Sequence, residues 1–219
     1  MSRYRRRVIR TDFLAKQPTL TTERTRLVPM GPRFFPQVWR SLQDPETAKL
    51  TGTHEKFTED QVRRHLESLP GRADRADWAI IRSDDSSYLG EVVLNQLDTD
   101  NESMNYRIAL RGLDVAGQGY GTEAGQAVIN FGLAVVGLHR ISLGVYAFNE
   151  RAIRSYQRIG FELEGRLRHT LYWDGHWYDE LVMAVLAPGA TDQDDTDNAR
   201  RPSAEGDHSP MQPSNPTSE

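Results

Sequence analysis

Apolar residues stand at every second position over 104–110, where Met104, Tyr106, Ile108 and Leu110 alternate with Asn105, Arg107 and Ala109. A period of two is that of a half-buried strand. Beyond residue 119 the period changes. Tyr120, Ala124, Ala127, Val128, Phe131, Ala134, Val135 and Leu138 recur at three- and four-residue spacing, which predicts a helix with one apolar face. Between the two periods lies Gly117-Gln118-Gly119-Tyr120-Gly121-Thr122-Glu123-Ala124. A strand, a glycine-rich turn and a helix start together make an anion site. Glycine lets the backbone approach closely and reach positive φ, and the first helical N–H groups are free donors carrying partial positive charge. The loop is therefore expected to hold a phosphate-bearing cofactor. The plain alternative is a turn that binds nothing.

The same patterns organise the rest of the chain. Thr25–Met30 reads as a first strand, its Pro29 marking an edge position. Phe34, Phe35, Val38, Trp39 and Leu42 mark a helix face that ends before Asp44-Pro45. Thr58-Glu59-Asp60-Gln61 has the form of a capping box and opens a second helix with Val62, Leu66 and Leu69, stopped by Pro70-Gly71. The two helices are expected to pack as a pair over one side of a sheet. Trp78–Ile81 and Leu89–Leu97 form a hairpin around a polar turn, and a further polar turn leads to the strand at 104–110. After the long helix, Ile141, Leu143 and Val145 alternate with polar or small residues in another strand. Strand, helix and strand here have the length of a crossover unit, so the two strands should be parallel. A helix from Asn149 to Ile159 and strands at Phe161–Arg168 and Trp177–Leu186 complete the pattern.

Composition then sets limits. The 219 residues carry no cysteine, so no disulfide, thiolate metal site or cysteine nucleophile exists. A net charge of -4 argues against nucleic-acid binding through bulk positive charge. No run of 18 apolar residues suited to a membrane span occurs. A cytoplasmic location is the expectation. Arg3, Arg5, Arg6, Arg7 and Arg10 precede no apolar stretch and so do not form a secretory signal; residues 1–18 read as a basic flexible leader. Residues 188–219 hold many Asp, Pro and Ser and almost no large apolar side chains. Such a segment cannot bury enough surface to offset its ordering entropy and reads as a disordered tail. One domain over 19–187 remains.

Four stretches, in this order, resemble the GCN5-related N-acetyltransferase superfamily. They are the G-Q-G-Y-G-T-E-A loop, Gly137-Leu138-His139-Arg140-Ile141 entering a strand, Asn149 to Tyr156 followed by Ile159-Gly160-Phe161, and Tyr172 to Asp179. The last of these, with Thr22-Glu23-Arg24-Thr25-Arg26-Leu27, is similar to the branch of ribosomal-protein-alanine N-acetyltransferases. The resemblance covers roughly Leu20 to Leu186. It implies an α/β fold: a mixed, mostly antiparallel sheet of about seven strands, helices on both faces, and a parallel fourth and fifth strand that splay apart. A small doubly wound nucleotide domain is the alternative fold.

The family uses acetyl-CoA and an amine acceptor, with no metal. Its diphosphate pattern, Arg or Gln-x-x-Gly-x-Gly or Ala, falls on Ala116, Gly119 and Gly121. Ala116 departs from it, which removes one side-chain contact and leaves the backbone cradle of Gly117, Gln118, Gly119, Tyr120, Gly121 and Thr122. Gln118 is a candidate to compensate. The resemblance further places the backbone of Ile108, Ala109 and Leu110 beside the acetyl and pantetheine groups, Asn149 against the pantetheine arm, and Tyr156 as general acid. Asn149 is equally a helix N-cap, and Tyr156 equally a core aromatic.

The general base stays open. Glu91 is the first candidate, with Asp179, His176, His54 and Glu102 as alternatives. An α-amine with a pKa of about 7.7–8.0 is neutral in roughly one molecule of ten at pH 7, against roughly one of a few thousand for lysine. A site without a strong base therefore favours a protein N-terminus. A small amine such as a polyamine or aminoglycoside is the alternative acceptor, held by acidic residues from among Glu23, Glu91, Asp179 and Glu180. A non-catalytic acetyl-CoA sensor is a third reading, and a homodimer is an allowed assembly.

Overall fold

A computed structural model describes residues 8–189. Eight strands form one mixed sheet: β1 (Leu20–Thr21), β2 (Thr25–Pro29), β3 (Ala76–Arg82), β4 (Tyr88–Asp98), β5 (Ser103–Leu110), β6 (Arg140–Tyr146), β7 (Glu162–Trp173) and β8 (His176–Leu186). Their order across the sheet is β1-β2-β3-β4-β5-β6-β8-β7. The strand beyond the seven expected is the two-residue β1, which pairs with β2. Neighbours are antiparallel except β5 and β6, which run parallel as the crossover length requires.

Alternation along the strands builds two cores. Trp78 and Ile80 of β3 face one side, with Val92, Leu94, Met104 and Tyr106, against α5 (Tyr120–Asn130). Trp78 meets Phe131 edge to face at 5.3 Å, and its ring N–H donates to the Pro18 carbonyl at 2.8 Å. Ala79 and Ile81 face the other side, packed on α2 (Phe35–Leu42) and α4 (Glu59–Ser68). That is the helix pair foreseen from the sequence. The capping box at the start of α4 is formed: Thr58 Oγ1 accepts from the Gln61 amide and the Gln61 side chain accepts from the Thr58 amide. α6 (Glu150–Ile159) packs beside α5.

Three expectations need correction. The segment read as a flexible leader is ordered in part. Residues 12–15 form a helical turn, α1 (Asp12–Ala15), with Leu14 only 1% exposed, and the Arg10 amide donates to the Val136 carbonyl at 2.9 Å. Apolar anchoring by Leu14 outweighs the basic composition there; the arginines at 3–7 lie outside the described residues. Asp44-Pro45 does not merely end α2. It starts α3 (Pro45–Thr51), where Asp44 accepts from the Glu46 and Thr47 amides at 3.4 and 3.1 Å and Pro45 takes the first helical position. The long helix also changes character after Asn130, continuing as a wider π turn over Phe131–Val136 until Gly137, at φ 90°, stops it. Gly132 fits there because a Cβ would stand 2.7 Å from Ile141 Cδ1. The first compact unit of the chain ends at Pro188. The acidic, proline-rich segment read as disordered lies outside the described residues.

Candidate active site

β5 and β6 pair at three positions only, Ser103 with Arg140, Met104 with Ile141 and Asn105 with Ser142, and then part. The Arg111 amide, just past β5, donates to the Leu89 carbonyl at 2.8 Å. Backbone groups alternate along a strand, so those of Ala109 turn to β4 while those of Ile108 and Leu110 face the gap. Of the three backbones expected beside a ligand, Ala109 is thus the exception: its hydrogen bonds are spent within the sheet. The gap opens into a cleft of about 370 Å³ lined by Ile108, Ala109, Leu110, Gly117, Gly119, Gly121, Thr122, Asn149, Tyr156 and Glu91, among others. Residues from four separate stretches, each singled out in the sequence, meet in this one space.

The glycine loop fits a diphosphate in shape and in donors. Gly117 and Gly119 have φ of 78° and 87°, a region that costs any other residue. A Cβ at Gly117 would meet nothing within 4 Å. Gly119 is the N-cap of α5 and offers no side chain to the first turn, so the leading amides remain free for an anion. Gln118 does not reach out in place of Ala116. Its amide nitrogen donates to the Asp114 carbonyl at 2.7 Å and closes the loop on itself. Ala116 itself lines the cleft.

Asn149 caps α6, with Oδ1 accepting from the Ala152 amide at 3.2 Å, while also lining the cleft. Tyr156 follows on the inner face of α6. It is 8% exposed and stands edge-on to Tyr106 and Phe161, with centroids at 6.0 and 5.9 Å. Burial pushes its phenol up to about 12, so the hydroxyl keeps its proton at neutral pH. Across the cleft, Glu91 projects from β4 toward the side of α2 and α3. It is half-buried, opening into the cleft. Burial pushes its carboxyl above the usual range, Arg107 opposes that, Asp77 adds to it and Arg75 opposes. Glu91 and Arg107 also line a side cavity of about 70 Å³ under α2 and α3, so they stand where the two spaces meet.

The other candidate bases do not line the cleft. Asp179 is held by the Arg166 guanidinium at 2.6 Å and the His169 amide at 2.9 Å. His54 stacks on Trp173 at 4.7 Å, His176 is exposed at the start of β8, and Glu102 is buried before β5. Of the acidic set, Glu91 and Glu180 reach the cleft and Glu23 and Asp179 do not. Glu180 lies over Gly144, where any side chain would collide with its carboxylate. Sequence reasoning missed Asp44 and Glu46, which α3 brings to the rim, and the Thr122–Ser155 hydroxyl pair at 2.8 Å that ties α5 to α6. The Asp-Pro pair was the available signal for the first. A contact across 33 residues left none for the second. Among the described residues no group of three or more His, Asp or Glu side chains could hold a metal ion, and no helix is long and apolar enough to cross a membrane.

Comparison with known proteins gives consistent matches. Residues 24–162, more than half of the chain, match the family described as the acetyltransferase (GNAT) domain. Similar proteins include the uncharacterized N-acetyltransferase YoaA of Bacillus subtilis, 29% identical over 115 residues, covering 51% of this chain and 62% of that one. Spermidine N(1)-acetyltransferase of Escherichia coli is 25% identical over 113 residues, 52% of this chain and 60% of the relative. The chain thus spans 62% and 60% of the length of these two relatives. The [ribosomal protein uS5]-alanine N-acetyltransferase of Escherichia coli is 33% identical over 75 residues, 34% of this chain and 39% of that one. Among solved structures, spermidine N-acetyltransferase from Vibrio cholerae in complex with CoA and spermine superposes with a TM-score of 0.67 at 16% identity, covering 74% of this chain and 95% of that one. A ribosomal L7/L12 alpha-N-protein acetyltransferase in complex with coenzyme A gives 0.66, also at 16%, covering 78% and 98%.

Proposed function

The chain belongs to the acetyltransferase (GNAT) family, and from that premise we propose that it transfers acetyl from acetyl-CoA to a primary amine, with the α-amine of a protein N-terminus as acceptor. One observation carries this reading: the parted seam of β5 and β6 leads from the free amides of the glycine loop to a space flanked by Tyr156 and Glu91. Acetyl-CoA supplies the activated acetyl thioester. The loop backbone from Gly117 to Thr122 grips its diphosphate, and Ile108 and Leu110 offer backbone groups to the arm and acyl group along the gap. Asn149 touches the arm beside them.

Two side chains move protons. Glu91, whose burial makes it a stronger base than an ordinary carboxylate, takes up the proton that the incoming ammonium must lose. Tyr156 holds a proton at its hydroxyl for the departing sulfur; its burial keeps that proton in place until it is needed. An α-amine sheds its proton far more readily than a lysine, so a single carboxylate is a sufficient base for it.

A second acceptor has a specific observation behind it. Glu180, Asp44 and Glu46 add negative charge to the cleft, which suits a small polycationic amine, and one relative is named a spermidine acetyltransferase. A thiol-release assay with acetyl-CoA and a panel of amines separates the readings. We expect peptides with free N-termini to turn over well above N-terminally blocked lysine peptides and polyamines. Faster turnover of polyamines would transfer the assignment to them, and cofactor binding without turnover of any amine would leave a sensor.

A further inference from the structure

Glu123 stands in the first turn of α5, the turn whose leading amides are open to the cleft. A bare carboxylate there would compete with a phosphate for the same helix terminus and repel it. Glu123 is not bare. The Thr22 hydroxyl donates to it at 2.5 Å, the Arg24 amide at 2.7 Å and Arg24 Nε at 2.8 Å. Burial pushes its carboxyl up, but these donors outweigh burial and hold it below the usual range.

Arg24 also reaches the glycine loop itself. Its Nη1 donates to the Gln118 carbonyl at 3.0 Å, and its guanidinium lies over the Tyr120 ring at 4.8 Å. Nη2 stands 3.0 Å from where a Gly119 Cβ would be. In a trans peptide the carbonyl of one residue and the N–H of the next point in opposite directions. Pinning the Gln118 oxygen to Arg24 therefore turns the Gly119 N–H away from Arg24. The positive charge that the family pattern places at 116 enters this loop from the turn between β1 and β2 instead.

We propose that Arg24 is a positioning residue for the cofactor: it neutralises Glu123 beside the phosphate site and fixes the 118–119 peptide with its N–H free for the diphosphate. This rests on the loop being the diphosphate cradle assigned above. The test is calorimetric titration of acetyl-CoA into the full chain, with Arg24→Ala, Arg24→Lys and the double variant Arg24→Ala with Glu123→Gln. Arg24→Ala is expected to weaken binding roughly tenfold, about the value of one hydrogen bond to a charged group. The KM for acetyl-CoA should rise in step while kcat at saturation is little changed. The double variant should bind more tightly than Arg24→Ala alone, because the carboxylate charge left without its guanidinium is gone. Arg24→Lys, which keeps the charge but loses the fork, should fall between wild type and Arg24→Ala. Unchanged affinity in Arg24→Ala, or no recovery in the double variant, overturns the proposal. Should Arg24→Ala fail to fold, Arg24→Lys binding as wild type does overturns it as well. Wild-type protein that binds no acetyl-CoA would overturn the cradle itself, a distinct result.

Discussion

Replacing Glu91 by Gln keeps the shape of the side chain and removes its ionisation. The carboxyl is weaker in the folded chain than in the unfolded one, because burial penalises its charged form and Asp77 adds to that penalty, while Arg107 and Arg75 offset it in part. The sign follows from linkage. The penalty is absent below the unfolded value of about 4.3 and reaches its full size above the folded value. Each tenfold weakening of the acid is worth about 1.4 kcal/mol. Glu91→Gln carries no such penalty. It should therefore be more stable than wild type in urea at neutral pH, with the gain vanishing in acid. Turnover should move the other way. Loss of a positioned base costs about 10²- to 10⁴-fold, and the acid limb of kcat/KM, set above the ordinary carboxylate range, should disappear. Thiol release across pH, with urea melts at neutral and acid pH, measures both. A variant that turns over as wild type, or keeps the acid limb, removes Glu91 from proton transfer. A gain over wild type that is no larger at neutral pH than in acid refutes the burial argument.

Tyr156→Phe keeps the ring contacts with Tyr106 and Phe161 and should lower kcat by about 10² or more while sparing acetyl-CoA affinity; single-turnover rates beside a binding titration check this. With its phenol near 12, Tyr156 should add no alkaline limb near neutrality. Thr58→Ala breaks the capping box of α4, far from the glycine loop in sequence, and should cost about 1 kcal/mol in urea unfolding with turnover retained.

Where the chain carries a local period, the elements could be read directly: β5, α5, β6 and α6 all stand where alternation or helical spacing put them. Two local signals were present and misjudged. Asp44-Pro45 reads equally as a stop for one helix and a start for the next, and only the Asp44 carboxylate turned onto the Glu46 and Thr47 amides decides it. Leu14 sits with Ile9 and Phe13 in an arginine-rich leader, and so short an apolar group shows no sustained period, yet all three pack against the main core. The site divides the same way. The glycine loop, Asn149 and Tyr156 belong to continuous motifs. Arg24 meets Glu123 across 99 residues, and Glu180 meets Gly144 only because β8 inserts between β6 and β7. Neither contact has a counterpart in sequence spacing. The direction of the Ala109 backbone likewise follows from register against β4, which no single strand reveals.

The seam between β5 and β6 has a mechanical consequence. After three shared positions the sheet becomes two leaves, β1 to β5 and β6 to β8, joined at one end like a book held by its spine. The exposed backbone edge at Ile108 and Leu110 is that of a strand awaiting a neighbour. An extended arm bearing amides, laid in that opening, would serve as the missing rung. The donor would then brace the very surface on which its acyl group is handed over.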